Sequence, residues 1–305
     1  MTQHPLAGIY AASLTPLKTD FTPDLGPVPV YLNFLAKRGC HGALLLGTTG
    51  EGPSFSPPER KALFQAAVAV RQQRPDFRLL AGTGTPSLQE TIDLNKAAFN
   101  LGFEGVVVLP PFYFRKASDE GLFNWFDAVI RQSVPEGKYL LGYHIPNVSG
   151  VPLSLDLLSR LKEAHPVKFA GIKDSSHDLD HAQALGERFG KDLLVFTGTD
   201  SYLLQAMAYH AQGCITAPAN LISPELRALW DTLNAEKDGS TIQGKITVKR
   251  EILEKYMPFP PILKALAARL HNFPRWSLRP PLLATPNKVV EAALQELDNA
   301  EKNLQ

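Results

Sequence analysis

Lys173 is the residue whose placement promises the most chemistry. It closes the apolar run Phe169-Ala170-Gly171-Ile172 and is followed by Asp174. An ammonium at the end of a buried strand is partly desolvated, gives up its proton more readily, and becomes an amine able to form a Schiff base with pyruvate or another 2-oxo acid. Taken alone, such a lysine is also an ordinary solvated strand end, so its company decides. Gly47-Thr48-Thr49-Gly50 offers two hydroxyls and successive backbone N–H groups, a set that holds a small carboxylate. No Lys-Ser or Lys-Thr follows the second glycine, which argues against a nucleoside triphosphate loop, and Gly82-Thr83-Gly84 is equally weak as a dinucleotide fingerprint. Tyr143 ends another apolar run and is a candidate to pass a proton to or from the reacting centre. Gly198 and Asp200 are expected to line the substrate pocket, and Thr85, Thr199, Asp200 and Asn220 to offer hydrogen bonds at its mouth. His177 and His181 stand four residues apart beside Asp178 and Asp180, but no further ligand cluster accompanies them. An exposed first helical turn accounts for them, and no metal site is expected.

These residues need a scaffold that gathers them. Short aliphatic runs recur at residues 9–14, 43–46, 78–81, 105–109, 139–143, 169–172, 193–196 and 214–217. They are nearly continuous in apolar residues, as parallel strands covered on both faces are. Amphipathic stretches separate them at 57–71, 88–101, 119–133, 155–164, 179–189 and 202–210. Ser56 before Pro57, and Ser87 with Glu90 three residues on, supply helix-start chemistry. Eight strands alternating with helices predict an α/β fold, a (β/α)8 TIM barrel over residues 1–222 that carries the active site. Residues 223–305 read as helical only, over 224–234, 242–256, 261–271 and 287–303, and are expected to form a C-terminal helical extension packed on the barrel. In such barrels the loops after the strands meet at one mouth. Every residue singled out above falls there.

Composition narrows the function classes. The chain has 305 residues, 44% hydrophobic and 20% charged, with a formal net charge of +1. No long basic or acidic tract points to nucleic acid or a membrane surface, and no apolar run approaches the length of a bilayer span. Residues 1–6 show no charged region leading into an apolar one, so no secretory leader is expected. Cys40 and Cys214 sit at the edges of apolar runs and read as buried core residues, which fits a reducing cytoplasm.

Taken in order, Gly47-Thr48-Thr49-Gly50-Glu51, Ala81-Gly82-Thr83-Gly84, Pro111-Phe112-Tyr113, Tyr143-His144-Ile145-Pro146 with Gly150, and Gly171-Ile172-Lys173-Asp174 resemble the dihydrodipicolinate synthase / N-acetylneuraminate lyase family. The match runs from about Gly8 to Asn220. The resemblance implies a Schiff base to pyruvate at Lys173 and a proton relay of Tyr143, Thr48 and Tyr113, the last reaching into a neighbouring subunit's site. It implies that Thr48 and Thr49 hold the pyruvate carboxylate and that the backbone at Ile215 lines the same pocket. The implied assembly is a tetramer of two tight dimers, working on pyruvate and an aldehyde. An iminium on Lys173 withdraws electrons from the adjacent carbon, so no metal or organic cofactor is required.

The chain departs from the synthase branch at Val148, which stands where that branch has an arginine for the aldehyde's carboxylate. Ala217 replaces a serine usual in sialic acid lyases. Pro57, Arg60, Pro86 and Phe112 replace the polar groups of the lysine-feedback site of some synthases. The expected activity is therefore a carbon–carbon lyase acting on a 2-oxo-3-deoxy sugar acid or related aldol. The alternatives are 4-hydroxy-tetrahydrodipicolinate synthase itself, a dehydratase of the same family, and a non-catalytic barrel that binds a 2-oxo acid.

Overall fold

The eight apolar runs close on themselves in a computed structural model that describes residues 3–303. The strands are β1 (Gly8–Ala12), β2 (Gly42–Leu45), β3 (Arg78–Gly82), β4 (Gly105–Val108), β5 (Tyr139–His144), β6 (Phe169–Asp174), β7 (Leu194–Thr197) and β8 (Gly213–Thr216). All are parallel and paired in chain order, and β8 returns to β1. Both faces of this sheet are covered, which is why the strands carry no polar–apolar alternation. Tyr10, Leu44, Leu80, Val107, Phe196 and Ile215 fill the barrel interior. Ile9, Ala43, Leu79, Val106, Ile172 and Cys214 pack outward under the helices.

The β5–β6 pairing slips by one residue after Leu140, then runs Leu141 opposite Gly171, Tyr143 opposite Lys173 and His144 opposite Asp174. This register puts Tyr143 and Lys173 on the interior face and the next pair on the helix-facing side. Gly171 permits it, because a side chain there would collide with the Leu194 carbonyl of β7.

Helices follow where the amphipathic stretches lie. Ser56 N donates to the Glu59 carboxylate at 2.9 Å to open Pro57–Ala67, which continues as a 3-10 turn over Val68–Gln72. The Ser87 hydroxyl accepts from Glu90 N to open Leu88–Asn100. The stretch expected at 202–210 is shorter, Leu203–Ala208, and enters through a 3-10 turn at Asp200–Tyr202. Two helices lie outside the amphipathic stretches: the four-residue Pro146–Ser149, and Pro27–Lys37, which opens with two prolines and two valines, yet prolines in a first turn cost no hydrogen bond.

The last four helices are Ala219–Asn234, Ser240–Glu254, Phe259–His271 and Asn287–Asn303. The first packs on β1 and kinks at Ile222, two residues before Pro224. Ser240–Glu254 reaches back to the Asp200–Tyr202 turn, and Asn287–Asn303 lies across it and Phe259–His271. Cys40 and Cys214 are buried free thiols. No helix among the described residues is long and apolar enough to cross a membrane.

Candidate active site

Lys173, only 3% exposed, is the next-to-last residue of β6, with its Nζ 4.2 Å from the centroid of the Tyr143 ring. The Tyr143 hydroxyl lies 3.3 Å from Thr48 Oγ1. Three of the four expected catalytic residues, Lys173, Tyr143 and Thr48, therefore meet at one end of the barrel, contributed by β6, β5 and the loop after β2. Burial pushes the Tyr143 phenol up. The Lys173 ammonium, with hydrogen bonds from Thr48, Lys173 and Ser175, overrides it and leaves the phenol below its ordinary pKa. A phenol poised this way surrenders and recovers a proton more easily than a free tyrosine.

Ser175 was not singled out in the sequence. It lies one strand residue beyond Asp174, and its own amide donates to the His144 carbonyl at 2.8 Å. Gly198 is bare for its sake, since a side chain at 198 would collide with Ser175 Oγ. Nothing in the type or spacing of Ser175 distinguishes it from any polar residue after a strand; the bare glycine one strand away is the only hint.

The Gly47–Gly50 loop is built by unusual backbone. Leu46 and Glu51 both take positive φ, at 56° and 57°, and Gly52 N bonds back to Gly47 O. Thr15 Oγ1 holds the Gly50 carbonyl at 2.7 Å. The Glu51 carboxylate is buried and paired to Lys264 Nζ at 2.5 Å, and it also accepts the Arg279 amide. Thus the helix Phe259–His271 anchors the expected carboxylate loop. Gly47 and Thr49 are buried in it while Thr48 faces out. A small hollow of about 20 Å³ opens beside Thr48 and Tyr143, walled by Gly47, Gly82, Gly84 and Arg60. Arg60 is buried with its guanidinium on the carbonyls of Gly52 and Phe55.

Other expected residues sit elsewhere. Ile215 is fully buried in the barrel interior with Tyr143 and Phe196. Val148 is 61% exposed on the short helix Pro146–Ser149, and Tyr113 is 76% exposed on the loop after β4, so the single chain does not bring Tyr113 to Tyr143. The hydrogen-bonding mouth needs correction. Asp200 is fully buried, with one carboxylate oxygen taken by Arg250 at 2.5 Å and Thr216 at 2.6 Å. It ties the 3-10 turn to Ser240–Glu254. Asn220 is likewise buried, clasping the Ala12 and Ala217 carbonyls and the Tyr31 hydroxyl. Thr85 is spent on Ser87 and Thr91, and Thr199 is buried. Sequence position put these groups at strand ends, but did not show that neighbouring elements bury them, the helix Ser240–Glu254 in the case of Asp200.

His181 joins not His177 but Asp174, its Nδ1 3.0 Å from the carboxylate, and its ring stacks on His144 at 4.5 Å. These three groups lie close enough to share a cation. However, His144 Nδ1 accepts the Leu153 amide at 3.0 Å, so the ring proton must sit on Nε2 and that nitrogen has no lone pair for a metal.

The chain as a whole is similar to known proteins. The profile of the Dihydrodipicolinate synthetase family matches residues 5–300. An uncharacterized DapA-like lyase of Chloroflexus aurantiacus is 37% identical over 93% of this chain and 94% of its own length. A 4-hydroxy-tetrahydrodipicolinate synthase of Moorella thermoacetica is 30% identical over 94% and 97%. Among solved structures, the chloride-inhibited dihydrodipicolinate synthase of Acinetobacter baumannii in complex with pyruvate superposes with a TM-score of 0.85 at 27% identity, covering 97% of this chain and 99% of that one.

Proposed function

The chain belongs to the dihydrodipicolinate synthetase family, whose enzymes are pyruvate-dependent lyases, and on that premise we propose that it is a class I aldolase that cleaves or forms the bond between pyruvate and a neutral, hydroxylated aldehyde. The observation that carries the reading is the buried Lys173 amine against the Tyr143 ring, with the Tyr143 hydroxyl in reach of Thr48. The complex of the Acinetobacter baumannii enzyme with pyruvate supports the choice of 2-oxo acid.

In the cleavage direction, the Lys173 amine adds to the C2 carbonyl of a 2-oxo-3-deoxy sugar acid and water leaves, giving an iminium. Tyr143 takes the proton of the C4 hydroxyl. The C3–C4 bond then breaks, its electrons pass to the iminium as an enamine, and the aldehyde departs. Protonation at C3 and hydrolysis release pyruvate and the free amine. Gly47, Thr48 and Thr49 receive the carboxylate, the Ile215 backbone and Gly198 line the pocket, and Tyr113 of a second copy completes the relay from Tyr143 and Thr48. Every charge that develops is handled by a side chain, and no cofactor enters the scheme.

Val148 sets the second substrate. It cannot offer the bidentate fork with which an arginine clamps a carboxylate. An authentic synthase with an altered aldehyde site is the second reading, favoured by the Moorella thermoacetica relative. The two are separated by kcat/KM for aspartate semialdehyde against glyceraldehyde-type aldehydes, each with pyruvate, and by pyruvate release from 2-oxo-3-deoxy sugar acids. The aldolase reading expects the neutral aldehydes to win by at least tenfold. A strong preference for the semialdehyde would overturn it.

A further inference from the structure

The loop after β2 ends at a residue held by groups more than 200 positions further along the chain. Glu51 takes a φ of 57°, in the left-handed region that a residue with a side chain enters only at a cost. Both oxygens of its buried carboxylate are engaged. One meets Lys264 Nζ at 2.5 Å, and the other accepts the Arg279 amide at 3.1 Å. Lys264 is equally buried and gives a second N–H to the Ser277 carbonyl at 2.7 Å. The strap 277–279 also grips the turn that follows the loop. The Arg279 guanidinium donates to the Ser54 carbonyl at 2.6 Å and lies over the Phe55 ring, 4.3 Å from its centroid. A buried ion pair adds little net stability over apolar side chains of the same volume, because desolvation offsets most of the attraction. What this pair does define is the place of Glu51.

From Lys264 the contacts run without a break to the relay. Glu51 N donates to the Thr48 carbonyl at 3.1 Å, and Gly52 N to the Gly47 carbonyl at 3.1 Å. Thr48 Oγ1 in turn lies 3.3 Å from the Tyr143 hydroxyl. A shift of Glu51 is therefore a shift of Thr48 and Thr49. Resting on the reading above, in which Gly47, Thr48 and Thr49 receive the carboxylate of the 2-oxo acid, we infer that Glu51 and Lys264 are positioning residues for that carboxylate. Neither touches substrate. They fix the turn whose hydroxyls and amides do, and without the tether Glu51 is free to leave its left-handed conformation. Lys173 stands on β6, outside the tether, so its amine stays reactive when the tether is cut.

The test is borohydride trapping on the Lys173 peptide of the full chain, well below the Tm of each variant. It is titrated with pyruvate and separately with acetone, a ketone without a carboxylate. Wild type is expected to half-saturate with pyruvate at a concentration at least about tenfold below that for acetone. Lys264→Met should raise the pyruvate value about tenfold or more and leave the acetone value within about twofold. The deciding variant is Glu51→Gln with Lys264→Met, which removes the stranded charge but not the loss of the tether. Its Tm should return toward wild type while its pyruvate value stays raised. If Lys264→Met does not fold, the double variant carries the test alone. Pyruvate and acetone weakened alike, or a folded double variant with the wild-type pyruvate value, overturns the inference and leaves the carboxylate reading standing. A wild type that traps acetone as readily as pyruvate overturns both.

Discussion

Tyr143 carries two loads at once, and they separate experimentally. Its ring stacks under the Lys173 ammonium and its hydroxyl reaches Thr48. Phenylalanine keeps the ring and removes the hydroxyl. Tyr143→Phe is therefore expected to keep borohydride trapping of pyruvate while losing about 10²- to 10⁴-fold in kcat. A variant with near wild-type turnover removes Tyr143 from the relay. Val148 is the complementary case, an exposed side chain whose chemistry is defined by what it lacks. Val148→Arg is expected to raise kcat/KM for aspartate semialdehyde by tenfold or more, since charge-assisted hydrogen bonds contribute roughly 1.5–3 kcal/mol. Failure to rise shows that position 148 does not face the aldehyde.

At the scale of elements, the loop after β2 is held by the helix Phe259–His271 through Glu51 and Lys264, both essentially without solvent contact. Lys264→Met strands a buried carboxylate, so about 3–5 kcal/mol of stability should be lost and Tm should fall by several degrees. Glu51→Gln with Lys264→Met should recover much of it, as read by thermal unfolding. A smaller anchor sits nearby, where Arg279 binds Glu59. The hydrogen bond from Arg279 holds that carboxylate at about 2, below its usual 4.5. Its contribution is thus fully present above about pH 4.5 and disappears as pH falls through about 2. Acid unfolding of Arg279→Met should lack that dependence. Neither anchor was legible beforehand. In the sequence Glu51 ends a glycine-rich motif and residues 261–271 carry a helical pattern, but 213 positions separate the partners and no local pattern links them. Legibility followed locality throughout. Strands buried on both faces announced themselves by apolar runs, and Lys173, Tyr143 and Thr48 by their places at strand ends. Asp200 and Asn220 had the same credentials, yet the C-terminal helices and the outer barrel wall claim both side chains. The helix Pro27–Lys37 was hidden by prolines that a first turn tolerates.

For the whole molecule, the loop after β4 is the open question that the chain poses to itself. Tyr113 and Phe114 are both exposed and pack edge to face with each other, with ring centroids 5.2 Å apart. Two adjacent aromatic rings in water are costly unless another surface covers them. A homo-oligomer that seats Tyr113 against a second copy's site is the expected assembly, and the family pattern of a tetramer built from tight dimers is the form proposed. Analytical ultracentrifugation across the assay concentration range should show an oligomer. Tyr113→Phe should lower kcat in that oligomer without changing its mass. A monomer that is fully active at assay concentration contradicts this assembly.

The catalytic expectations hang on one covalent bond. The wild-type protein is incubated with pyruvate, reduced with borohydride, digested and analysed by mass spectrometry. The account predicts a single pyruvate-derived mass increment on the peptide that contains Lys173, and none in Lys173→Ala. No adduct, or an adduct on Lys264 or any other lysine, would contradict it.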